Sequence, residues 1–327
     1  MTHPDIGRRG ALSLAAAAAI VRPATAALTL DRPARIMVGS APGGGSDIVA
    51  RLMAEQLRGS YAPQVVVENR PGASTRLGVD AVKTAAPDGA TILQTPMPVM
   101  SLFPHVFPKS TRYDALVDFI PVATIGELPY GIVVRADHPA RDLPGFVEGA
   151  RSRGGATFAP PVPGAPQHML ALTMARQAGI NLTVVTYRGG MFALQDLLGG
   201  RIDSFMSHMG DVTPPTRGGQ TRLLAVTSEG RLPSMPEVGT FAEAGFPEIT
   251  ADEAFCMLLP ARTPAAMVAA LHRAVEAAVA APAVREGMTR LEMKPMVLSP
   301  EATAERIRAE RDRWGPIVRA TGFSADD

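Results

Sequence analysis

The chain has 327 residues, which is long enough for two domains of the usual size of about 100–200 residues each. Hydrophobic residues make up 46% of the sequence and charged residues 19%, a balance that indicates a folded chain and excludes an intrinsically disordered one. The formal net charge of +1 gives no indication of a nucleic-acid partner or of binding to an anionic membrane surface.

The first 26 residues have the features of an export signal. Arg8 and Arg9 precede a mildly apolar, alanine-rich stretch at 11–21, and Ala24-Thr25-Ala26 forms a small-x-small cleavage site. Paired arginines are typical of a twin-arginine signal, and an ordinary secretory signal is the alternative. Either one predicts a periplasmic protein, and no later stretch is long and apolar enough to anchor the chain in a membrane.

After the signal, short apolar runs of strand length alternate with amphipathic stretches of helix length. The predicted strands are 34–38, 65–67, 91–94, 120–125, 131–134, 156–159, 183–185, 204–206, 223–226 and 254–259. The predicted helices are 46–58, 77–85, 142–152, 167–178, 190–198, 264–281 and 300–320. This alternation predicts an α/β architecture with mostly parallel sheet.

Two of the apolar stretches, 120–134 and 255–259, are candidates for strands that cross between two lobes. A lobe inserted into the middle of another needs two such crossings. We therefore expect one lobe built from 27–127 and 250–327, and a second from 128–249. The single cysteine, Cys256, excludes an internal disulfide; we expect it to be buried as a small apolar residue, with a reactive thiol as the alternative.

A glycine turn follows the first strand, at Pro42-Gly43-Gly44-Gly45-Ser46-Asp47, and a helix follows the turn. Glycines allow a tight turn with bare backbone N–H groups, and Ser46 or Asp47 suits the N-cap of the helix. The N-terminus of a helix attracts anions because its first four N–H groups lack partners and its dipole end is positive. The turn therefore predicts an anion site, with a tight turn that binds nothing as the alternative.

Three further loops, at 69–76, 160–168 and 187–190, also connect a predicted strand to a predicted helix. Such loops lie at the carboxyl edge of a parallel sheet, where α/β proteins bind ligands. We expect these loops and the glycine turn to form one site.

Cofactor and catalytic motifs are incomplete in this sequence. Gly43 and Gly45 match the start of a dinucleotide fingerprint, but Ile48 stands where the third glycine belongs, and there is no phosphate-loop lysine. Ile48 also replaces the last glycine of a nucleophile elbow around Ser46. The six histidines are scattered, with no pair at metal-ligand spacing. We expect no cofactor, no metal and no catalysis.

Several short motifs in a specific order give the whole chain after the signal a family resemblance. They are 42–47 (PGGGSD) with Arg51, 67–73 (VENRPGA) with Gly78, 86–89 (APDG), 187–190 (YRGG), 198–203 (LGGRID), 224–227 (LAVT) and 243–245 (EAG). The chain resembles the periplasmic solute receptors of tripartite tricarboxylate transporters, also called Bug receptors. The resemblance implies two Rossmann-like lobes joined by crossing strands, which close like a Venus flytrap on a small carboxylate, without catalysis.

The loops and the resemblance together predict a ligand site. Its residues are Ser40, Gly43, Gly44, Gly45, Ser46, Asp47, Ser74, Thr75, Arg76, Thr95, Gly164, Ala165, His168, Tyr187 and Arg188. The sequence departs from the family pattern at Gly39-Ser40, where the family has a Pro-Phe-like pair, at 74–76 (STR), and in the proline-rich loop at 160–166. A typical member's ligand therefore does not carry over, and specificity belongs in these segments.

Individual side chains keep alternatives at this point. Arg76 either pairs with a second carboxylate of the ligand or is a solvated arginine at a helix start. Asp47 either caps its helix or accepts a hydrogen bond from the ligand. His168 either lines the cleft or has a core or capping role, and Tyr187 and Arg188 either reach the ligand or line the hinge.

The sequence therefore predicts an exported, monomeric receptor that captures a small organic acid and delivers it to a membrane permease. One alternative is a sensor that passes its signal to a membrane partner. The other is an enzyme on a related two-lobed scaffold.

Overall fold

The computed structural model describes residues 30–187 and 189–326, so the predicted signal at 1–26 and the candidate Arg188 lie outside the described residues. The strands are β1 (Ala34–Val38), β2 (Val65–Asn69), β3 (Thr91–Pro96), β4 (Phe119–Arg135), β5 (Ala156–Ala159), β6 (Leu182–Val184), β7 (Ser204–His208), β8 (Thr221–Val226), β9 (Asp252–Pro260) and β10 (Lys294–Leu298). The helices are α1 (Gly45–Leu57), α2 (Arg76–Lys83), α3 (Pro98–Ser101), α4 (Phe103–Val106), α5 (Leu143–Ser152), α6 (Pro166–Ala178), α7 (Gly190–Leu198), α8 (Met209–Arg217), α9 (Ala265–Ala280), α10 (Pro282–Arg290) and α11 (Pro300–Thr321).

The strands form two sheets that share β4, which gives the predicted two-lobed α/β fold. The first lobe contains a sheet in the order β2-β1-β3-β9-β4-β10, and the second a sheet in the order β6-β5-β7-β4-β8. The pairs β1–β2, β1–β3, β5–β6 and β5–β7 are parallel, whereas β9, β4, β10 and β8 pair antiparallel. The sheets are therefore mixed rather than mostly parallel.

Strand β4 is the crossing strand that the apolar stretch 120–134 predicts. Its residues 119–129 pair with β9 of the first sheet, and from Tyr130 onward it pairs with β7 and β8 of the second sheet. The expectation that 255–259 forms the other crossing is wrong, because β9 pairs only with β3 and β4 in the first sheet. The chain returns at Thr227, whose backbone N–H donates to Tyr130 O (3.0 Å) and whose carbonyl accepts from Ala251 N (2.9 Å).

One apolar core extends through both lobes. It contains Met37 and Leu93 of the first sheet, Phe158 of the second sheet, Met169 of α6 and Trp314 of α11, all nearly inaccessible to solvent. Helix α11 packs on β4, on α3 and on α6. The final helix therefore connects the two lobes on one side of the molecule. Two smaller cores fill the other faces, one beneath α1 and α9 and one between α7, α8 and the second sheet.

Elements with weak local signals are absent from the sequence prediction. These are α3, α4, α8, α10 and β10. Cys256 is buried as expected, and burial raises the pKa of its thiol. Within 30–187 and 189–326 no single helix is long and apolar enough to cross a membrane; α9 and α10 meet a length and composition criterion only as a pair bent by 71°.

Candidate functional site

The loops that follow the parallel strands converge at the facing edges of the two sheets. In the first lobe, a Cβ on Gly39 after β1 would lie 2.5 Å from the Thr75 carbonyl oxygen of the β2–α2 loop. In the second lobe, a Cβ on Gly190 would lie 3.5 Å from Pro161 Cβ and 3.8 Å from Ser207 Oγ. Because β4 runs from one sheet into the other, it brings these two sets of loops together at its crossing point.

Asp47 holds the glycine turn together. Its Oδ2 accepts from Gly43 N (2.9 Å) and Arg51 Nε (2.9 Å), and its Oδ1 accepts from Arg51 Nη2 and Asn69 Nδ2 (both 2.9 Å). Burial opposes ionisation of this carboxyl group, which is only 2% exposed, but the bonds from Arg51, Gly43 and Asn69 outweigh it and lower the pKa of Asp47. Asp47 is thus a neutralised structural carboxylate.

Helix α1 begins one residue earlier than predicted, with Gly44 as its N-cap. The expected N-cap role of Ser46 or Asp47 is therefore wrong. The turn places both residues inside the first turn of the helix, where Asp47 bonds backward to Gly43, whose φ of +87° requires glycine. The glycines Gly43, Gly44 and Gly45 are exposed, so their backbone is accessible at the positive end of α1.

In the second lobe, the turn before α6 is closed in the same way, by a hydrogen bond from a glycine N–H to a side chain four residues later. Gly164 has a φ of +76°, and its N–H donates to Nδ1 of His168 (3.1 Å), four residues later in the first turn. The His168 ring is 3% exposed and packs edge-on against Phe323 at 4.4 Å between ring centroids. Burial lowers the pKa of His168 to about 4, so the ring is neutral and closes the turn. Ala165 is also buried.

The β2–α2 loop has an unusual backbone. Ala73, Ser74 and Thr75 have φ values of +47°, +51° and +74°, the left-handed region that non-glycine residues rarely adopt. Three such residues in a row store backbone strain, which persists only where surrounding contacts enforce it. Here Thr75 is pressed against Gly39, and the loop is held from its other end by Arg76.

Arg76 lies over the face of Phe107, with its guanidinium carbon 3.8 Å from the ring centroid. Its Nε donates to Ala73 O (2.8 Å) and its Nη1 donates to Ser110 Oγ (2.8 Å). These bonds use two of the five N–H groups of the guanidinium. Arg76 is therefore held in place by protein contacts while it remains half-exposed. The Phe107 ring also lies close to Gly164 of the second lobe, since a Cβ on Gly164 would be 3.7 Å from Phe107 Cε2.

The hydroxyl groups of Thr95 and Tyr187 both have acceptors within the protein. Thr95 is 2% exposed and its hydroxyl lies 3.4 Å from the carbonyl of Pro96, within the sheet. The Tyr187 hydroxyl donates to Asp196 Oδ2 (2.7 Å), which fastens the β6–α7 loop to α7.

Sequence reasoning missed two buried carboxamides. Gln94 on β3 is 0% exposed and Gln167 on α6 is 1% exposed, and neither amide has a hydrogen-bond partner within the described residues. The same holds for the buried hydroxyl oxygens of Ser40 and Thr75. Buried polar groups are almost always hydrogen-bonded, so unpartnered ones near a ligand edge indicate positions where a ligand or water supplies the bond. The only signal in the sequence was a glutamine inside an apolar strand.

The crossing point itself carries a polar cluster. Tyr130 Oη donates to Glu253 Oε2 (2.6 Å), and Glu253 Oε1 lies 2.8 Å from His208 Nε2, an ion pair whose N–H is not aligned for a hydrogen bond. His208 Nδ1 lies 3.8 Å from Asp211, which accepts from Ser207 Oγ (2.6 Å). Burial disfavours the charged imidazole, but Glu253 and Asp211 raise the pKa of His208 to about 10. This cluster connects β9 of the first lobe to β7 and α8 of the second.

No group of three or more His, Cys, Asp or Glu side chains in the described part of the chain could hold a metal ion. Two facing sets of strand-to-helix loops on sheets joined by a crossing strand define the class of the protein, a two-lobed α/β binding protein. The chain belongs to the tripartite tricarboxylate transporter family of receptors, whose family model matches residues 49–323.

Relatives and solved structures agree with this assignment. The Protein BugT of Bordetella pertussis is 32% identical over 313 residues, which cover 94% of each chain. MatC from Rhodopseudomonas palustris, solved with bound malate, is 29% identical with a TM-score of 0.78 and covers 88% of this chain and 99% of its own. An R. palustris protein solved with adipate is 26% identical with a TM-score of 0.83, and the match covers 90% of this chain and 98% of that protein.

Proposed function

We propose that this protein is a periplasmic receptor that captures a small organic acid between its lobes and delivers it to a membrane permease. The observation that carries the proposal is the N-terminus of α1. Its glycines are exposed, and the one acidic group in its first turn, Asp47, is already neutralised by Arg51. The free N–H groups and the positive end of the helix dipole remain to attract a carboxylate.

The energetics of such a site are sufficient for a transport receptor. Hydrogen bonds to a charged acceptor contribute about 1.5–3 kcal/mol each, and a partly buried helix end about 2 kcal/mol. Several together reach the roughly −8 kcal/mol of micromolar binding. The malate and adipate bound by the two R. palustris proteins support a small carboxylate as the ligand class.

We take the binding residues to be the sequence candidates around the two helix starts. In this proposal residues 27–127 with 250–327 move against 128–249, and the permease recognises the closed form. The monomeric state and export by the N-terminal signal belong to the same proposal.

A thermal-shift screen tests this function. Monocarboxylates, dicarboxylates, tricarboxylates and amino acids are added to the purified protein, and we expect at least one to raise the melting temperature. A ligand at 100-fold excess over its Kd stabilises the folded state by about 2.7 kcal/mol. If no organic acid stabilises the protein or shows binding by calorimetry, the receptor proposal is wrong; turnover of a bound acid would instead favour an enzyme.

The role of Arg76 is tested on the ligands found in that screen. If its remaining N–H groups pair with a second carboxylate, Arg76→Ala weakens dicarboxylates at least tenfold more than monocarboxylates. Arg70→Ala is the matched control, because Arg70 pairs with Glu68 at 2.7 Å in the same loop region. Equal affinities of Arg76→Ala and wild type for every ligand would exclude the contact.

A further inference from the structure

Gln94 lies in the last row in which β3 pairs with β1, before β1 continues into the glycine turn. It is opposite Val38, the last residue of β1, and opposite Met257 of β9. It is completely buried, and neither its Oε1 nor its Nε2 has a hydrogen-bond partner among the described residues. A carboxamide both donates and accepts hydrogen bonds, so both of these functions are open at this point.

The strand alternation shows which way the carboxamide points. Ile92, two residues earlier, and Val38 belong to the apolar core beneath α1, whereas Leu93 belongs to the core on the other face. Residues two apart on a strand share a face, so Gln94 is on the α1 side, above Ile92 and toward the glycine turn. Ser40 lies two residues beyond Val38, in the bend that leads from β1 to the glycine turn, and its buried Oγ also has no hydrogen-bond partner among the described residues.

Ser40 and Gln94 therefore form a polar patch beneath the start of α1. Burial of a carboxamide without hydrogen bonds is unfavourable, so the patch is stable only where a guest supplies the missing bonds. Charged side chains do not supply them: the nearby Asp47 is bonded to Gly43, Arg51 and Asn69. A group that fits the patch must itself both donate and accept, and a hydroxyl group does so.

We propose that Gln94, together with Ser40, binds the hydroxyl group of a 2-hydroxy acid whose carboxylate is held at the N-terminus of α1. This assignment rests on the proposed receptor function and narrows its ligand class. The β1–α1 turn runs from Val38, the partner of Gln94, to the start of α1, so Gln94 lies beside the strand end from which the turn leads to the carboxylate. Discrimination against the unsubstituted acid follows, since without the hydroxyl group the carboxamide stays unpaired.

Isothermal calorimetry with two matched ligand pairs tests this assignment: malate against succinate, and lactate against propionate. We expect wild type to bind the hydroxy member of at least one pair tenfold or more tightly. Gln94→Leu, which has similar volume and no polar atoms, reduces that ratio below about twofold, because the hydroxyl group of the ligand loses its partner. The melting temperature of the ligand-free variant stays equal or rises, because a buried unpaired group is removed.

Gln64→Leu is the matched control, since Gln64 is exposed and precedes β2 at the opposite end of the same sheet. It should keep the wild-type ratio. Ser40→Ala gives a second measurement that does not depend on the folding of the Gln94 variant, and it should lower the ratio at least threefold.

The outcomes separate the two proposals. Wild type that binds acids but does not prefer the hydroxy members overturns the hydroxyl assignment and leaves the receptor function intact. The same is true if the preference survives both Gln94→Leu and Ser40→Ala, or if aspartate rather than malate shows the Gln94-dependent preference. Wild type that binds no organic acid overturns the receptor function itself.

Discussion

At the scale of single residues, the acidic group in the first turn of α1 has a structural role. Asp47 accepts four hydrogen bonds from the turn, the helix and β2, and its partner Arg51 cancels its charge. An unpaired carboxylate in the first turn of α1 would repel an anionic ligand. The bidentate pair therefore allows a carboxylate to rigidify the turn without opposing the positive end of the helix.

We expect Asp47→Ala to lower the free energy of unfolding by about 1–3 kcal/mol, because the part-buried hydrogen bonds from Gly43, Arg51 and Asn69 to its carboxylate are lost. Ligand affinity should fall at least tenfold as the turn loses its shape. Asp142→Ala is the control, since Asp142 caps α5 by accepting from Gly145 N (2.8 Å) away from the ligand loops. It should lose about 1 kcal/mol of stability with unchanged affinity. Urea unfolding and calorimetry measure both quantities; equal affinity losses in the two variants would contradict this role of Asp47.

At the scale of elements, β4 both joins the lobes and carries their polar contacts. Tyr130 on this strand bonds to Glu253 on β9 and pairs in register with His208 at the end of β7. His208 is held between a carboxylate of each lobe, Glu253 and Asp211. A change in the angle between the lobes must therefore change the separation of these charges.

The raised pKa of His208 makes this contribution dependent on pH. An unfolded histidine titrates near pH 6.5. In the folded protein burial lowers the pKa of His208, but the carboxylates of Glu253 and Asp211 outweigh burial and raise this pKa to about 10. The folded state binds the proton more tightly, so the stabilisation is complete below pH 6.5 and is lost as the pH rises toward 10. We expect His208→Asn to reduce the fall in unfolding free energy between pH 7 and 10, measured by urea titration.

Glu253→Gln should also reduce the fall in unfolding free energy between pH 7 and 10. The double variant His208→Asn/Glu253→Gln should reduce it little further, because the two substitutions remove the same interaction. If His208→Asn shows the same fall in unfolding free energy between pH 7 and 10 as wild type, another titrating group causes this pH dependence.

His168 has the opposite pH dependence. Its folded pKa of about 4 lies below the unfolded value of about 6.5, so its contribution to the free energy of unfolding is lost as the pH decreases from about 6.5 toward 4.

At the scale of the whole molecule, the two lobes are not connected equally on all sides. Helix α11 and the C-terminal segment pack across both lobes: Phe323 packs edge-on against His168, and Ala325 N donates to Val106 O (3.0 Å). The start of α6 lies on this packed side, because His168 contacts Phe323. The lobes should therefore pivot about β4 and the α11 side, with the glycine turn on the side that opens.

We expect a saturating ligand to reduce the radius of gyration measured by small-angle X-ray scattering, because a ligand that contacts both lobes favours the closed form. A compact domain of about 300 residues has a radius of gyration of about 19 Å, and the closed state should approach this value. Asp47→Ala, with weakened binding, should stay extended at the same ligand concentration. Unchanged dimensions of wild type with a proven ligand would contradict the flytrap motion.

The sequence alone determined the α/β alternation, the glycine turn, the crossing strand β4 and the family. These features are encoded locally: apolar periodicity, glycines in turns and short motifs depend on neighbouring residues, and burial follows periodicity. The sequence also predicted a ligand site that includes residues at both helix starts, at 45–47 and 164–168.

The tertiary structure decided what these side chains do, because hydrogen-bond partners come from distant segments. Asp47 is bonded by Asn69 from β2, which no local pattern reveals. Helix α8 contains Pro214 and Pro215, so its sequence argues against a helix, and it forms because Met209 and Val212 pack into a core. Nothing in the sequence distinguishes Gln94; only the fold shows that its side chain is buried and has no hydrogen-bond partner within 30–187 and 189–326.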